Sequence, residues 1–249
     1  MRIKWLIILL CLALLGGCAL LGLEEDETSS DTTASSTPTD TAYSVSGYVQ
    51  KGPYVQGTEI TIRELSASLV PTGRTFTGTI DDNTGSFRTT AEVSSPYVEL
   101  SANGYYFNEV SGALSTAQLS LQALADLRNS SSVNVNLMTH LEKKRVEYLI
   151  GTGHSFSAAK SQTQSEILRM FNITNVSLDS SEKLDISKGG TGNDLLLTIS
   201  AVLQSDKSEA QLTELLSTIN TDIRTDGSLD STSTQNTLEE ATKYIRQKG

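Results

Sequence analysis

Hydrophobic and polar positions fall into four regimes along the chain. Trp5 to Leu15 form an unbroken apolar run behind a short basic start, Arg2 and Lys4. Residues 28–42 are almost entirely Ser, Thr and Asp, with no bulky apolar side chain that could offset the entropy of ordering. From Tyr43 the pattern alternates with period two, as in Val45, Gly47 and Val49, and again in Glu59–Leu65 and Thr75–Ile80. Such alternation predicts strands with one face in a core. Asp81-Asp82-Asn83-Thr84-Gly85 is a tight-turn sequence leading into Ser86-Phe87-Arg88, and Tyr97–Leu100 and Tyr105–Phe107 continue the series. Ser120–Leu127 and Val133–Leu137 predict two more strands flanking a polar turn.

From Leu137 the period lengthens to that of a helix. One helix runs to Ile150 and stops at Gly151 and Gly153. Ser155 or Ser157 caps the next, which carries Ala158, Ile167, Leu168 and Phe171. Gly189–Asn193 opens an apolar helix, Leu195 to Leu203. Leu212, Leu215, Leu216, Ile219 and Ile223 lie on one helical face, and Leu238, Ala241 and Ile245 mark a last helix. The fold class expected is therefore α+β, a small antiparallel β-sandwich over 44–136 followed by an α-helical bundle over 137–249 packed against it.

The first apolar run, about ten residues, falls short of the ~20 required to span a bilayer. It has the build of a secretory signal. Leu15-Gly16-Gly17-Cys18 at its end closely resembles the bacterial lipobox. That resemblance implies cleavage before Cys18, acyl chains on Cys18, and attachment of the mature chain to the membrane through them. Residues 1–17 are then the signal peptide, and 18–43 the lipidated cysteine with its tether. Ala19, rather than Asp, follows the cysteine, so the resemblance places the protein at the outer membrane. The acidic run Glu24–Glu27 is similar to surface-export signals of some Gram-negative lipoproteins, and equally reads as a solvated run. Asp31-Thr32-Thr33 and Asp40-Thr41-Ala42 resemble a bacterial O-glycosylation signal.

Loss of Arg2 and Lys4 with the signal takes the formal charge from −10 to −12, which argues against nucleic acid as a partner. The chain's two cysteines are Cys11 and Cys18. The part beyond residue 18 therefore contains no disulfide, no cysteine-ligated metal and no thiol nucleophile.

Two further resemblances concern the folded part. "Lys-Gly-Pro-Tyr", "Gly-Thr-Glu-Ile-Thr-Ile", "Asp-Asp-Asn-Thr-Gly-Ser-Phe" and "Ser-Ala-Asn-Gly-Tyr-Tyr", in that order over about 44–110, are similar to the transthyretin-like, carboxypeptidase-regulatory-type β-sandwich. Together with "Leu-Met-Thr-His-Leu-Glu-Lys-Lys-Arg-Val-Glu-Tyr-Leu", "Gly-Asn-Asp-Leu-Leu-Leu-Thr-Ile-Ser-Ala-Val-Leu-Gln" and "Ile-Arg-Thr-Asp-Gly-Ser-Leu-Asp", they resemble a family of uncharacterised bacterial lipoproteins. The family implies a fold and a location, not an activity.

Candidate chemistry is sparse. His140 has no second histidine at i+3 or i+4 and no His-Glu-x-x-His around it, so a structural or surface role is expected. His154 falls in the loop before a helix. No Gly-x-Ser-x-Gly elbow offers a nucleophile. Gly189-Gly190-Thr191-Gly192-Asn193-Asp194 could cradle an anion on backbone N–H groups, but lacks the Lys-Ser/Thr of a P-loop and reads better as a cap. Asp222-x-Arg224-x-Asp226-Gly227 is similar to a calcium loop, with Arg224 at a ligand position and Ser233 where the bidentate Glu belongs; a turn is the better reading. No cofactor or metal is assigned. The function expected is a non-enzymatic spacer or interaction module of the envelope. The alternative is a ligand-binding lipoprotein, with glycans as the candidate ligand class, using Tyr48, Tyr54, Tyr97, Tyr105 or Tyr106 as stacking surfaces. The only Trp is Trp5, in the signal.

Overall fold

The computed structural model describes residues 40–248. Cys18, the signal and the acidic run lie outside them. Among the described residues nine strands precede five helices: β1 Thr41–Gln50, β2 Glu59–Leu65, β3 Pro71–Thr79, β4 Ser86–Val93, β5 Tyr97–Gly104, β6 Phe107–Asn108, β7 Ala113–Leu114, β8 Leu119–Asp126 and β9 Val135–Asn136, then α1 Leu137–Gly151, α2 Phe156–Met170, α3 Thr191–Gln204, α4 Glu209–Asp222 and α5 Thr232–Lys248. The class is mixed α+β, as the change of period from two to helical predicts. No helix among the described residues is long and apolar enough to cross a membrane.

The strands form three sheets, ordered β4-β1-β9, β3-β2-β5-β8 and β6-β7. Alternation fixes the inward faces. Val45, Gly47 and Val49 of β1 are buried, as are Ile60 and Ile62 of β2, Val98 and Leu100 of β5, and Leu121 and Ala123 of β8. The strand–strand ladders are antiparallel except for a short parallel one, Val49↔Val135 and Gln50↔Asn136.

Three elements differ from the periodicity. β1 starts at Thr41, inside the stretch assigned to the tether, because Thr41 and Ala42 pair with Val93 and Glu92 of β4 and Asp40 forms a bidentate pair with Arg74. β3 reaches back to Pro71 through a bulge between Arg63 and Leu65. The stretch after β8 does not return as its hairpin partner. It crosses to β1 through backbone bonds Ser46 N to Ser131 O and Val133 N to Ser46 O, 2.9 and 2.8 Å. Gly47 permits that approach, since a Cβ there would lie 2.1 Å from Val133 O.

The step from strand to helix at residue 136 falls within one core. Val45, Ile62 and Leu121 belong to the same apolar cluster as Leu137, Leu141, Leu203, Leu216 and Ile219. α1 leaves β9 directly, its first turn closed by a capping box in which Asn136 Oδ1 accepts from Thr139 N and Thr139 Oγ1 from Asn136 N. Of the two serines proposed to cap α2, Ser155 does so. Farther along α1, Val146 and Leu149 pack with Leu65 and Leu124 in a second cluster.

Candidate functional site

Where α1 and α2 meet the 3₁₀ turn Ser181–Lys183, a cavity of about 390 Å³ opens beside a group of buried charges. Glu142 comes from α1, Lys160 from α2 and Glu182 from the turn, with side chains 1%, 8% and 14% exposed. The Lys160 ammonium is bound to Glu142 Oε2 and lies 2.9 Å from Glu182 Oε2. Ser181 Oγ donates to the other oxygen of Glu142, and Gln164 Nε2 donates to Ser181 Oγ at 3.0 Å and to Asp179 O at 2.8 Å.

Burial and pairing pull these groups in opposite directions. Burial works against the Lys160 ammonium, but Glu142 and Glu182 outweigh it and hold its pKa above the usual value. Burial raises the pKa of Glu142, and Lys160 only partly offsets this. At Glu182 the same opposition resolves the other way, with Lys160 winning and the pKa lowered. Ser130, Ser157, Ser161 and Asn129 add hydroxyl and amide groups to the wall, Asp126 and Lys183 add charge, and Val133, Phe156 and Leu178 give apolar surface. The arrangement suits a polar ligand. It does not suit nucleophilic chemistry at Ser181, which is 1% exposed and has its hydroxyl engaged on both sides.

A second buried charge pair joins the strands to α3. Lys51, in the Lys-Gly-Pro turn after β1, is fully buried with its ammonium against Glu109 Oε1. Glu109 Oε2 accepts from Gly52 N at 3.1 Å, and Ser200 Oγ of α3 stands 2.6 Å from Glu109 Oε1 and 2.7 Å from Lys51 O. Burial lowers the Lys51 pKa, with Glu109 opposing. Periodicity flagged neither group. Glu142 sits in the run Glu-Lys-Lys-Arg, which reads as a solvated face, and Lys51 borders a turn. A lysine held between a strand end and Gly-Pro was the one available signal.

The residues singled out from sequence are scattered. His140 lines a separate cavity between β8, α1 and α4. His154 is in the exposed loop before α2, its Nδ1 3.1 Å from Leu149 O. At the start of α3, Gly190 has φ 117° and Asn193 Oδ1 accepts from Asp185 N, so the glycine run is a helix start bound to its own neighbours. The calcium-like segment is a turn in which Asp222 Oδ2 accepts from Ser231 N, Asp226 Oδ1 from Ser228 N, and Thr225 O from Arg145 Nη1.

The tyrosines do not make a common platform. Tyr54 and Tyr106 are fully buried with ring centroids 5.9 Å apart, and their hydroxyls donate to Leu119 O and Gln204 Oε1, both at 2.8 Å. Tyr97 packs on Phe156 and accepts from Arg128 Nη2. Tyr48 is half-buried, and Tyr105 is exposed. No protein family, curated protein or solved structure matches the chain.

Proposed function

We propose that this chain is a lipid-anchored bacterial envelope protein, attached to the outer membrane through acyl chains on Cys18, whose folded part is a non-enzymatic interaction module. The reading rests first on the lipobox-like Leu15-Gly16-Gly17-Cys18. The structural observation that carries the module is the apolar core that strands and helices share, with a buried ion pair inside the strand half that Ser200 of α3 also bonds and another between α1 and α2. Lys51–Glu109 beside Ser200, and Lys160 between Glu142 and Glu182, engage their charges with one another. Such pairs favour one arrangement of the elements over others, which suits a surface that must keep its shape. Facing burial of the two larger sheets supports a transthyretin-like sandwich within 44–136.

The test is the intact mass of the protein from the membrane fraction, for wild type and Cys18→Ala. The expected wild-type mass lacks the first seventeen residues and carries acyl chains, and the variant carries none. An unmodified cysteine, or cleavage elsewhere, overturns the anchor. The cavity beside Lys160 favours a second reading, binding of a hydroxylated, glycan-like ligand among its serines and amides with Phe156 as the apolar face. Saturable quenching of tyrosine fluorescence by oligosaccharides, lost in Gln164→Ala, supports that reading, because Tyr97 packs on Phe156.

A further inference from the structure

The cavity between β8, α1 and α4 has a volume of about 200 Å³, and His140, Lys144, Ser217 and Asn220 are in its wall. Two buried polar atoms of that wall, His140 Nδ1 and Asn220 Oδ1, have no hydrogen-bond partner. The two residues are adjacent in space, since Asn220 Nδ2 reaches the His140 carbonyl at 3.4 Å. An unpaired buried polar group costs about 1–3 kcal/mol. A single such atom is a local defect, whereas two in the wall of one cavity describe a place where a polar occupant completes the bonding. The volume exceeds that of one water molecule, about 30 Å³ in the liquid, by enough to admit a small organic molecule.

The charges around the cavity select the occupant. Lys143 is matched by Glu99 at 3.3 Å and Glu147 at 2.6 Å. Lys144 forms no ion pair among the described residues and is half-buried at the wall. β8 and α4 contribute uncharged residues only. The cavity thus holds an unmatched positive charge in a chain whose formal charge is −10. A neutral imidazole with its hydrogen on Nδ1 supplies a second donor, and Asn220 Oδ1 supplies an acceptor.

We propose that this cavity binds a small oxyanion that also carries a hydroxyl, with the oxyanion held by Lys144 and the His140 N–H and the hydroxyl donated to Asn220 Oδ1. Hydroxycarboxylates and hydrogen phosphate share this chemistry. Burial and then the Lys143 and Lys144 charges push the imidazole down to about 4, so it is neutral at pH 7. An anion beside it favours the charged ring, so binding raises the His140 pKa and tightens as pH falls.

The chain's two histidines make the test direct, because exposed His154 serves as the internal control. Ring resonances of histidine-labelled protein are followed by NMR during titration with lactate and, separately, inorganic phosphate, against chloride at matched ionic strength. The expected result with at least one probe is a saturable shift at His140 with a half-point below about 5 mM, no matching change at His154, and binding at least about tenfold weaker in Lys144→Gln. The probe that saturates tells which source of the oxyanion the site accepts. No saturable change with either probe up to about 50 mM, or an undiminished response in Lys144→Gln, overturns the proposal. Lys144 pairs with nothing among the described residues, so its replacement leaves the fold's own ion pairs in place.

Discussion

Replacing Lys160 with methionine keeps most of the buried stem and removes the ammonium that Glu142 and Glu182 share. Glu142 is then a carboxylate with a 1% exposed side chain and no cation beside it. It either remains charged in a poor solvent or takes up a proton. Protonating a glutamate of ordinary pKa 4.5 at pH 7 costs about 3.4 kcal/mol, at 1.36 kcal/mol per pH unit. This agrees with the ~3–5 kcal/mol typical when one partner of a buried ion pair is removed. For a folded part of this size, a loss of ~3 kcal/mol lowers Tm by about 6–12 °C.

The sign of the pH dependence follows. In the variant the folded-state pKa of Glu142 lies above its unfolded value, so folding is unpenalised below the unfolded pKa and loses stability as pH rises. The same protonation costs about 0.7 kcal/mol at pH 5. Urea unfolding of wild type and Lys160→Met, followed by circular dichroism at pH 7 and pH 5, measures the difference at each. The destabilisation is expected to shrink by at least half at the lower pH, and adding Glu142→Gln to the variant to restore much of the loss at pH 7. A penalty under about 1 kcal/mol at pH 7, or one that is the same at both pH values, would refute the assignment of the trio as a buried ionic junction.

Other substitutions probe the junctions between elements. Gly47→Ala places a Cβ 2.1 Å from Val133 O and should cost ~3 kcal/mol or more by forcing β1 and the 131–133 segment apart, read as a drop in urea midpoint at unchanged slope. Asn136→Ala removes the α1 cap and the bonds from Asn136 Nδ2 to Ser181 O and Leu184 O, for an expected ~2 kcal/mol in the same assay. Tyr106→Phe leaves Gln204 Oε1 without its buried donor, and a loss of ~1–2 kcal/mol is expected; no change in midpoint would mean that another donor reaches the amide. Gly85→Ala, at φ +81° and with its Cβ 2.5 Å from Val49 O, should weaken the β4 start by more than the ~1 kcal/mol of a left-handed alanine alone, checked by hydrogen exchange at Phe87.

Most of the elements were legible in the chain because their cause is local. Alternation of Val45, Gly47 and Val49, or of Leu212, Leu215, Leu216 and Ile219, sets which face is apolar, and that periodicity distinguishes strand from helix whatever lies opposite. Ser155, whose hydroxyl accepts from Ala158 N at the start of α2, and Gly85, whose backbone takes φ +81° in its turn, likewise act locally. The order of elements therefore gave the α+β class. What surrounds each face was decided by tertiary structure. The segment after Asp126 has the look of a hairpin return, yet its backbone groups pair with β1, a choice made by residues about 85 positions away. The Glu142–Arg145 run has the composition of a solvated face, but α1 is enclosed by α2 and the 181–183 turn, so Glu142 meets Lys160 and Arg145 meets Glu166 at 2.8 Å. Tyr54 and Tyr106 became core rather than surface for the same reason, their hydroxyls finding acceptors on β8 and α3. Burial of a polar side chain depends on partners that arrive from elsewhere in the chain, and no local periodicity carries that information.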